Sequence, residues 1–483
     1  MRITKSKGFY ADAYLRNPGV TGSSTLISVH WPDDRNKRFL VDAGAAQGRE
    51  NKDFYNAFFP FNAGKIDFII LTHTHHDHQG LLPLVVRQGF QGPIFTHYAN
   101  TVLMTTSLYD SCKIADTVTG RPLCDVNEVE ATLDLVVGCT TKKILKPDKN
   151  IKIVFYTNGH LVGAVITLVV ISCPGEEDIT LLFTGDFKDR NIFFNVETPP
   201  KEVKNLNISA IFCESTYGNV DSTNPMFDKC LQNNTVKALK EGKTVLYAAY
   251  AQGRYQEVLY DIKMWKKRGI IPQNTLVYAD GKASQENTIK YMYNDLGIKK
   301  IMRDFVPTDT KFVPRTRDRM EYRRKIMENN DPKIIIAPGG MASYGPIQNY
   351  IQNYISRNDV LLHLLGYCSE DSQGYRLLNT PLGEKVKYAG KEYVKWFDTK
   401  RTGEKSGHAP RNILLAFLEM FPNKQSIIIY HGENETKHCF REFLLDNLGL
   451  PEEQIVVSSP DIAYRIESNG ITDRFETHLD TVF

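Results

Sequence analysis

His73-Thr74-His75-His76-Asp77-His78 places five metal-ligating side chains within six consecutive residues. The run Phe68-Ile69-Ile70-Leu71 just before it reads as a buried strand ending at the cluster. In an extended segment His73 and His75 point the same way and suit one ion. Asp77 and His78 then turn into a helix expected over 80–88 and suit a second ion, with His76 facing away. Imidazole and carboxylate without thiolate favour zinc, manganese being the alternative.

Four more strand-like runs end on a ligand side chain: 38–42 on Asp42, 153–156 leading to His160, 181–186 on Asp186, and 426–431 on His431. Repeated delivery of this kind is how a fold gathers distant residues around one centre, and it points to a binuclear metallohydrolase. Two cations roughly 3.5–4 Å apart need a bridging carboxylate. Asp186, in Thr184-Gly185-Asp186, suits that role. The expected first site is His73, His75, His160 and Asp186; the second is Asp77, His78, Asp186 and His431. Each ion keeps a position for a shared water, acidified towards a pKa of about 7. Asp42 is expected behind the ligands, orienting an imidazole. The isolated His30, His97, His363, His438 and His478 read as structural or exposed.

With 483 residues the chain is long enough for two or three domains. Its 42% hydrophobic and 24% charged content is that of a soluble globular protein. A net charge of +3 argues for no particular partner. The eight cysteines form no C-x-x-C pair, which favours reduced thiols over a disulfide framework or thiolate zinc site. Residues 1–15 carry no apolar leader-like run, and no run reaches the roughly 18–20 apolar residues of a membrane span. A cytoplasmic protein without membrane contact is expected.

The first ~215 residues alternate short strands with Gly/Asp/Asn loops, as a sheet-on-sheet core would, with few helices, at 80–88 and 127–135. From residue 227 strands and helices alternate regularly: helices over 233–240, 253–267, 284–295 and 345–355, strands over 244–250, 275–279, 333–337 and 360–365. That pattern signals a parallel, doubly wound sheet. A helix over 410–420 and the strand ending at His431 follow. Because His431 must reach the same metals as His73, an α/β domain over 217–398 is expected to interrupt a first domain built from 1–216 and 399–483.

These motifs have a family resemblance. His-x-His-x-Asp-His at 73–78, Gly159-His160-x-x-Gly163-Ala164 and Thr184-Gly185-Asp186 resemble the metallo-β-lactamase fold. Glu214-Ser215-Thr216-Tyr217-Gly218, Ser406-Gly407-His408-Ala409 and His431-Gly432-Glu433 resemble its β-CASP nuclease branch. Val20-Thr21-Gly22-Ser23 and Asp42-x-Gly44-x-x-Gln47-Gly48 are similar to stand-alone prokaryotic homologues of the cleavage-and-polyadenylation endonuclease subunit; ribonuclease J is a more distant likeness. The resemblance implies an αββα sandwich carrying two Zn2+ per chain, with an inserted β-CASP domain. It implies attack on a phosphodiester of single-stranded RNA by a metal-bridging hydroxide, leaving a 5′-phosphate and a 3′-hydroxyl, in endo- or 5′-exonuclease mode. By the same resemblance His408 is the general acid, Glu214 its orienting carboxylate, and Asp77 belongs to the catalytic set. His431 matches the RNA-acting members, and relatives often form homodimers.

Ser406 and Gly407 are expected to cradle phosphate through backbone amides, and Arg254 to contact substrate. The stretch 311–325 holds seven basic and two acidic residues and reads equally as a backbone-tracking patch or a solvated face. Three alternatives stand beside the ribonuclease: a DNA nuclease of the same family, a small-molecule hydrolase of the lactamase type, and a catalytically dead RNA-binding subunit. The small-molecule reading leaves Glu214 and His408 without a role. The dead-subunit reading conflicts with the full set of seven ligands.

Overall fold

A computed structural model describes residues 8–16, 19–47, 55–56, 59–113, 122–228 and 230–477. The chain divides into two compact units, 1–222 with 408–483, and 223–407.

The first unit holds two sheets. Eight strands form one, in the order Gly470–Glu476, Ile462–Glu467, Tyr10–Leu15, Thr25–His30, Asn36–Val41, Phe68–Leu71, Ile94–His97, Val136–Cys139. Seven form the other, in the order Ile455–Val457, Ile427–Tyr430, Ala210–Glu214, Ile179–Phe183, Val165–Ile171, Ile151–Thr157, Leu145–Asp148. Strand alternation decides what each face packs against. Phe39, Val41, Phe68 and Ile70 share a core with Phe155, Val165, Leu181 and Phe212, so the two sheets face one another. The intervening Leu40, Ile69 and Leu71 turn outward, onto Leu82, Val85, Met104 and Val129 of helices. On the far side of the second sheet Leu182, Ile211 and Ile429 pack on Leu414, Phe417, Phe440 and Leu444 of the helices Arg411–Glu419 and Asn434–Leu448. This is the αββα sandwich.

Parallel pairing then aligns the strand ends that matter. Asn36–Val41, Phe68–Leu71, Ile94–His97 and Val136–Cys139 run parallel, as do Ile179–Phe183, Ala210–Glu214 and Ile427–Tyr430. Asp42 and His73 therefore leave one sheet at the same edge, and Asp186, Glu214 and His431 leave the other in the same way.

Two local expectations change. The helix expected over 80–88 is shorter, Leu82–Arg87, and a separate helical turn, His76–Gln79, precedes it. Pro83, which has no N–H to donate, stands in the first turn of Leu82–Arg87. The 14-residue helix Tyr98–Ser111 was not expected. Thr101, Thr105, Thr106 and Ser107 dilute its apolar stripe, while Ala99, Leu103, Met104 and Leu108 are buried.

The second unit is a six-stranded, wholly parallel sheet in the order Lys311–Phe312, Leu276–Ala279, Lys333–Pro338, Thr244–Ala249, Val360–Leu365, Asp398–Thr402. Leu246, Ile335 and Leu362 pack on Ile347, Tyr350 and Ile351 of one helix layer. The opposite face carries Tyr247, whose hydroxyl meets Thr235 of the helix Cys230–Lys240. Helices on both faces make it doubly wound.

Candidate metal centre

Seven side chains expected from sequence as ligands converge in the first unit as two groups that share one carboxylate: His73, His75, His160 and Asp186, and Asp77, His78, Asp186 and His431. His160 Nε2 lies 2.9 Å from His75 Nδ1 and 3.5 Å from Asp186 Oδ2, with His73 Nε2 also 3.5 Å from that oxygen. Around the other oxygen, Asp186 Oδ1, stand His78 Nε2 at 3.1 Å and His431 Nε2 at 3.2 Å; Asp77 Oδ2 is 3.7 Å from His431 Nε2.

The residues behind the imidazoles decide which nitrogen faces inward. Asp42 accepts from the Thr72 amide at 2.7 Å and from the Thr72 hydroxyl at 2.8 Å, and lies 2.7 Å from His78 Nδ1. With its proton given to Asp42, the Thr72 hydroxyl can only accept from His73 Nδ1, 3.1 Å away. Thr216 Oγ1 donates to the His431 carbonyl at 3.3 Å and so accepts from His431 Nδ1 at 3.1 Å. In all three rings the outward Nδ1–H is engaged and the Nε2 lone pair turns to the centre. Sequence reading placed Asp42 but gave no role to Thr72, whose only signal is adjacency to His73, or to Thr216, which stood unassigned within the 214–218 motif.

These residues fit a cation. His73 Nε2 and Asp186 Oδ1 are buried yet make no hydrogen bond, and an unsatisfied buried polar atom costs about 1–3 kcal/mol. Burial, reinforced by the neighbouring His78, holds His73 well below the usual histidine pKa, in the neutral form that ligates. At His78 burial acts the same way, but Asp186 and Asp42 outweigh it and raise the pKa well above normal. A proton drawn to that position marks where a cation would take its place. Backbone strain sits here too: Asp42 and His431 have φ of 61° and 51°, a region that costs a non-glycine residue about 1–3 kcal/mol.

Beside the two groups stands a second pair. His408 Nδ1 is 3.0 Å from both oxygens of Glu214, and its Nε2 lies 3.8 Å from Asp186 Oδ2. Glu214 is itself fixed by the amides of Phe187 at 2.7 Å and Thr216 at 3.1 Å. Burial depresses the His408 pKa, but the Glu214 and Asp186 charges outweigh it and hold the ring above the usual histidine value.

His76 belongs to neither ligand group; its Nδ1 lies 3.4 Å from Ser111 Oγ. Among the isolated histidines, His97 caps the helix Tyr98–Ser111, His363 is buried, and His438 is exposed. Gly48 and His478 lie outside the described residues.

The remaining expected site residues belong to the second unit. Arg254 is buried, paired with Glu257 at 2.8 Å and donating to the Lys405 carbonyl at 3.1 Å. The Ser406 amide is already given to the Gly403 carbonyl at 2.8 Å, so it is not open to phosphate as expected. Gly407 ends this unit. Much of the basic stretch 311–325 is also committed: Arg323 to Asp280, Arg315 to Gln285, Arg324 to Glu328 and Lys325 to Glu321. Among the described residues no helix is long and apolar enough to cross a membrane.

Comparison with known proteins adds domain matches. The Beta-Casp domain model matches residues 255–377, the metallo-beta-lactamase superfamily model 17–110, and the Zn-dependent metallo-hydrolase RNA specificity domain model 400–457. Transcription termination factor FttA of Methanosarcina mazei is 27% identical over 418 residues, covering 82% of this chain and 63% of its own length. FttA of Methanocaldococcus jannaschii is 27% identical over 451 residues, covering 87% and 66%. Ribonuclease TTHA0252 of Thermus thermophilus is 26% identical over 426 residues, covering 86% of this chain and 91% of the ribonuclease. The chain thus spans just under two thirds of the length of these two termination factors. The three matches, on a sandwich interrupted by a doubly wound unit, lead to one conclusion: the chain carries a metallo-beta-lactamase superfamily domain, a Beta-Casp domain and a Zn-dependent metallo-hydrolase RNA specificity domain.

Proposed function

We propose that the protein is a zinc-dependent ribonuclease that hydrolyses phosphodiester bonds of single-stranded RNA in the cytoplasm and leaves 5′-phosphate and 3′-hydroxyl ends. The observation that carries this reading is the His408–Glu214 pair beside Asp186. Two metal-ligand groups would serve many hydrolyses. A carboxylate-held imidazole beside them suits one whose leaving group is an alkoxide in need of a proton.

His73, His75, His160 and Asp186 would hold one ion, and Asp77, His78, Asp186 and His431 the other. Bound there, the cations would acidify a water and neutralise the negative charge of a phosphodiester. The other contributions come from the protein. Glu214, anchored by the Phe187 and Thr216 amides, fixes the His408 Nδ1–H and with it the ring's orientation. The Glu214 and Asp186 charges raise the His408 pKa and so favour a proton on Nε2, the one a departing 3′-oxygen would need. Asp77, on the second group's open side, adds negative charge that favours cations. Arg254 would hold the 405–407 loop through the Lys405 carbonyl. RNA is preferred to DNA because of the matched RNA specificity domain and the likeness to a ribonuclease.

The test is cleavage of matched 5′-labelled RNA and DNA single strands by wild type and His408→Ala, with zinc and manganese assayed in each protein. RNA cutting that disappears in a fully metallated variant is expected, and the product ladder separates internal from terminal cuts. Intact RNA after incubation with metallated wild type would overturn the reading.

A further inference from the structure

Cys112 and Cys124 approach to 3.6 Å between sulfurs, and neither belongs to the metal groups. Cys112 is half-buried and closes the helix Tyr98–Ser111 as its C-cap. Cys124 is buried immediately before Asp125, the N-cap of the helix Val126–Asp134. Asp125 and Glu128 form a reciprocal capping box, which fixes the start of this second helix and so the place of Cys124. Around the sulfurs the packing is apolar, with Leu108, Val129 and Tyr109 in the same cluster. The contact is a weak S–H···S bond between thiols. A disulfide needs about 2.05 Å, and the two helices that carry these residues already pack together.

We propose that Cys112 and Cys124 form a reversible dithiol–disulfide site that is oxidised by peroxides. The more accessible Cys112 thiolate attacks the peroxide O–O bond; one oxygen remains on sulfur as a sulfenic acid and the other leaves as water after taking a proton. Cys124 sulfur then attacks the sulfenic sulfur; the S–S bond forms, the S–O bond breaks, and a second water departs. Two thiols lose two electrons and two protons, and the peroxide is reduced to two waters. Burial raises the Cys124 thiol pKa, with the Cys112 contact adding to it, which leaves the first attack on peroxide to Cys112. The site backs the metal motif: Ser111 Oγ stands 3.4 Å from His76 Nδ1, and Ser107 accepts from Gln79. A bond at Cys112 would thus tether the helix on which residues 76–79 lean.

The full chain would be titrated with hydrogen peroxide, alkylated, digested without reductant and analysed by mass spectrometry. Expected is a linked peptide pair containing Cys112 and Cys124, lighter than the sum of its parts by two hydrogens and released by dithiothreitol. In Cys124→Ser the Cys112 sulfenic acid should persist and be trapped by dimedone. If wild-type Cys112 passes to sulfinic acid while Cys124 stays alkylatable, the proposal is overturned. The same holds if exposed Cys439 is consumed before either cysteine of the pair. The wild-type result stands whether or not the variant folds, and it is independent of the metal assignment.

Discussion

Asp186 and Asp280 occupy comparable places in the two units. Each follows a buried strand, Ile179–Phe183 or Leu276–Ala279, and each is at most 2% exposed. Asp280 is saturated: Arg323 donates to both oxygens at 2.6 and 3.0 Å, Tyr350 hydroxyl at 2.9 Å and the Gly281 amide at 2.6 Å. Asp186 is met by imidazole nitrogens, and its Oδ1 makes no hydrogen bond. One sheet end encloses its carboxylate in a finished network, which serves the fold. The other leaves a buried anion facing lone pairs, which has a physical rationale once cations stand between them. A buried aspartate at a strand end therefore reveals its role through its neighbours' donors.

The sharpest way to break that contrast is Asp186→Asn. The fold should survive, while both ions are lost and nuclease activity falls to background, a loss of several kcal/mol of transition-state stabilisation. Metal analysis beside a denaturation curve checks it, and retained metal would remove Asp186 from its bridging role. His408→Ala should keep its metal and lose roughly 10²–10⁴-fold in kcat; equal loss of metal would reassign His408 as a ligand. Asp280→Ala should do the converse. It strands Arg323 and costs about 3–5 kcal/mol of stability, while the metal content of the folded fraction stays normal.

Smaller effects sharpen the comparison. His363, buried in the second unit's sheet, has its pKa lowered to about 4 by burial. The unfolded chain, with an ordinary histidine near 6.5, binds a proton that the native state refuses. Stability is thus full above about pH 6.5 and declines as the pH falls towards 4, by up to about 3 kcal/mol. His363→Gln should flatten that part of the stability profile measured by urea denaturation. Thr216→Val should be mildest, weakening metal binding about 10–100-fold by releasing the His431 ring. Competition with a chelator measures it, and unchanged affinity would mean that Thr216 does not set the tautomer.

The ligand set was legible because strand periodicity and ligand chemistry coincide in single segments: an apolar run ending in His73-Thr74-His75, another ending in His431. Alternation also announced the doubly wound sheet, since strands buried on both faces and the helices between them have distinct patterns. Other features left no such trace. The helix Tyr98–Ser111 is masked by its threonines and is stabilised by what it packs against. Thr72 and Thr216 are ordinary β-branched residues until their hydroxyls are seen against Asp42, His73 and His431. Arg254, expected from its motif to contact substrate, is committed to Glu257 and Lys405.

By itself, then, the amino-acid order determined the chemistry on offer: imidazoles and carboxylates at strand ends and two kinds of sheet, the pairing of His408 with Glu214 being what the family resemblance implied. Those properties are local, written in side-chain type and periodicity. Tertiary structure alone decided which nitrogens face inward, which guanidiniums are already spent, which carboxylate is left unsatisfied, and that Cys112 meets Cys124. Each depends on hydrogen bonds and contacts between segments far apart in the chain or joined through packed helices, and no local pattern encodes which donor reaches an acceptor first.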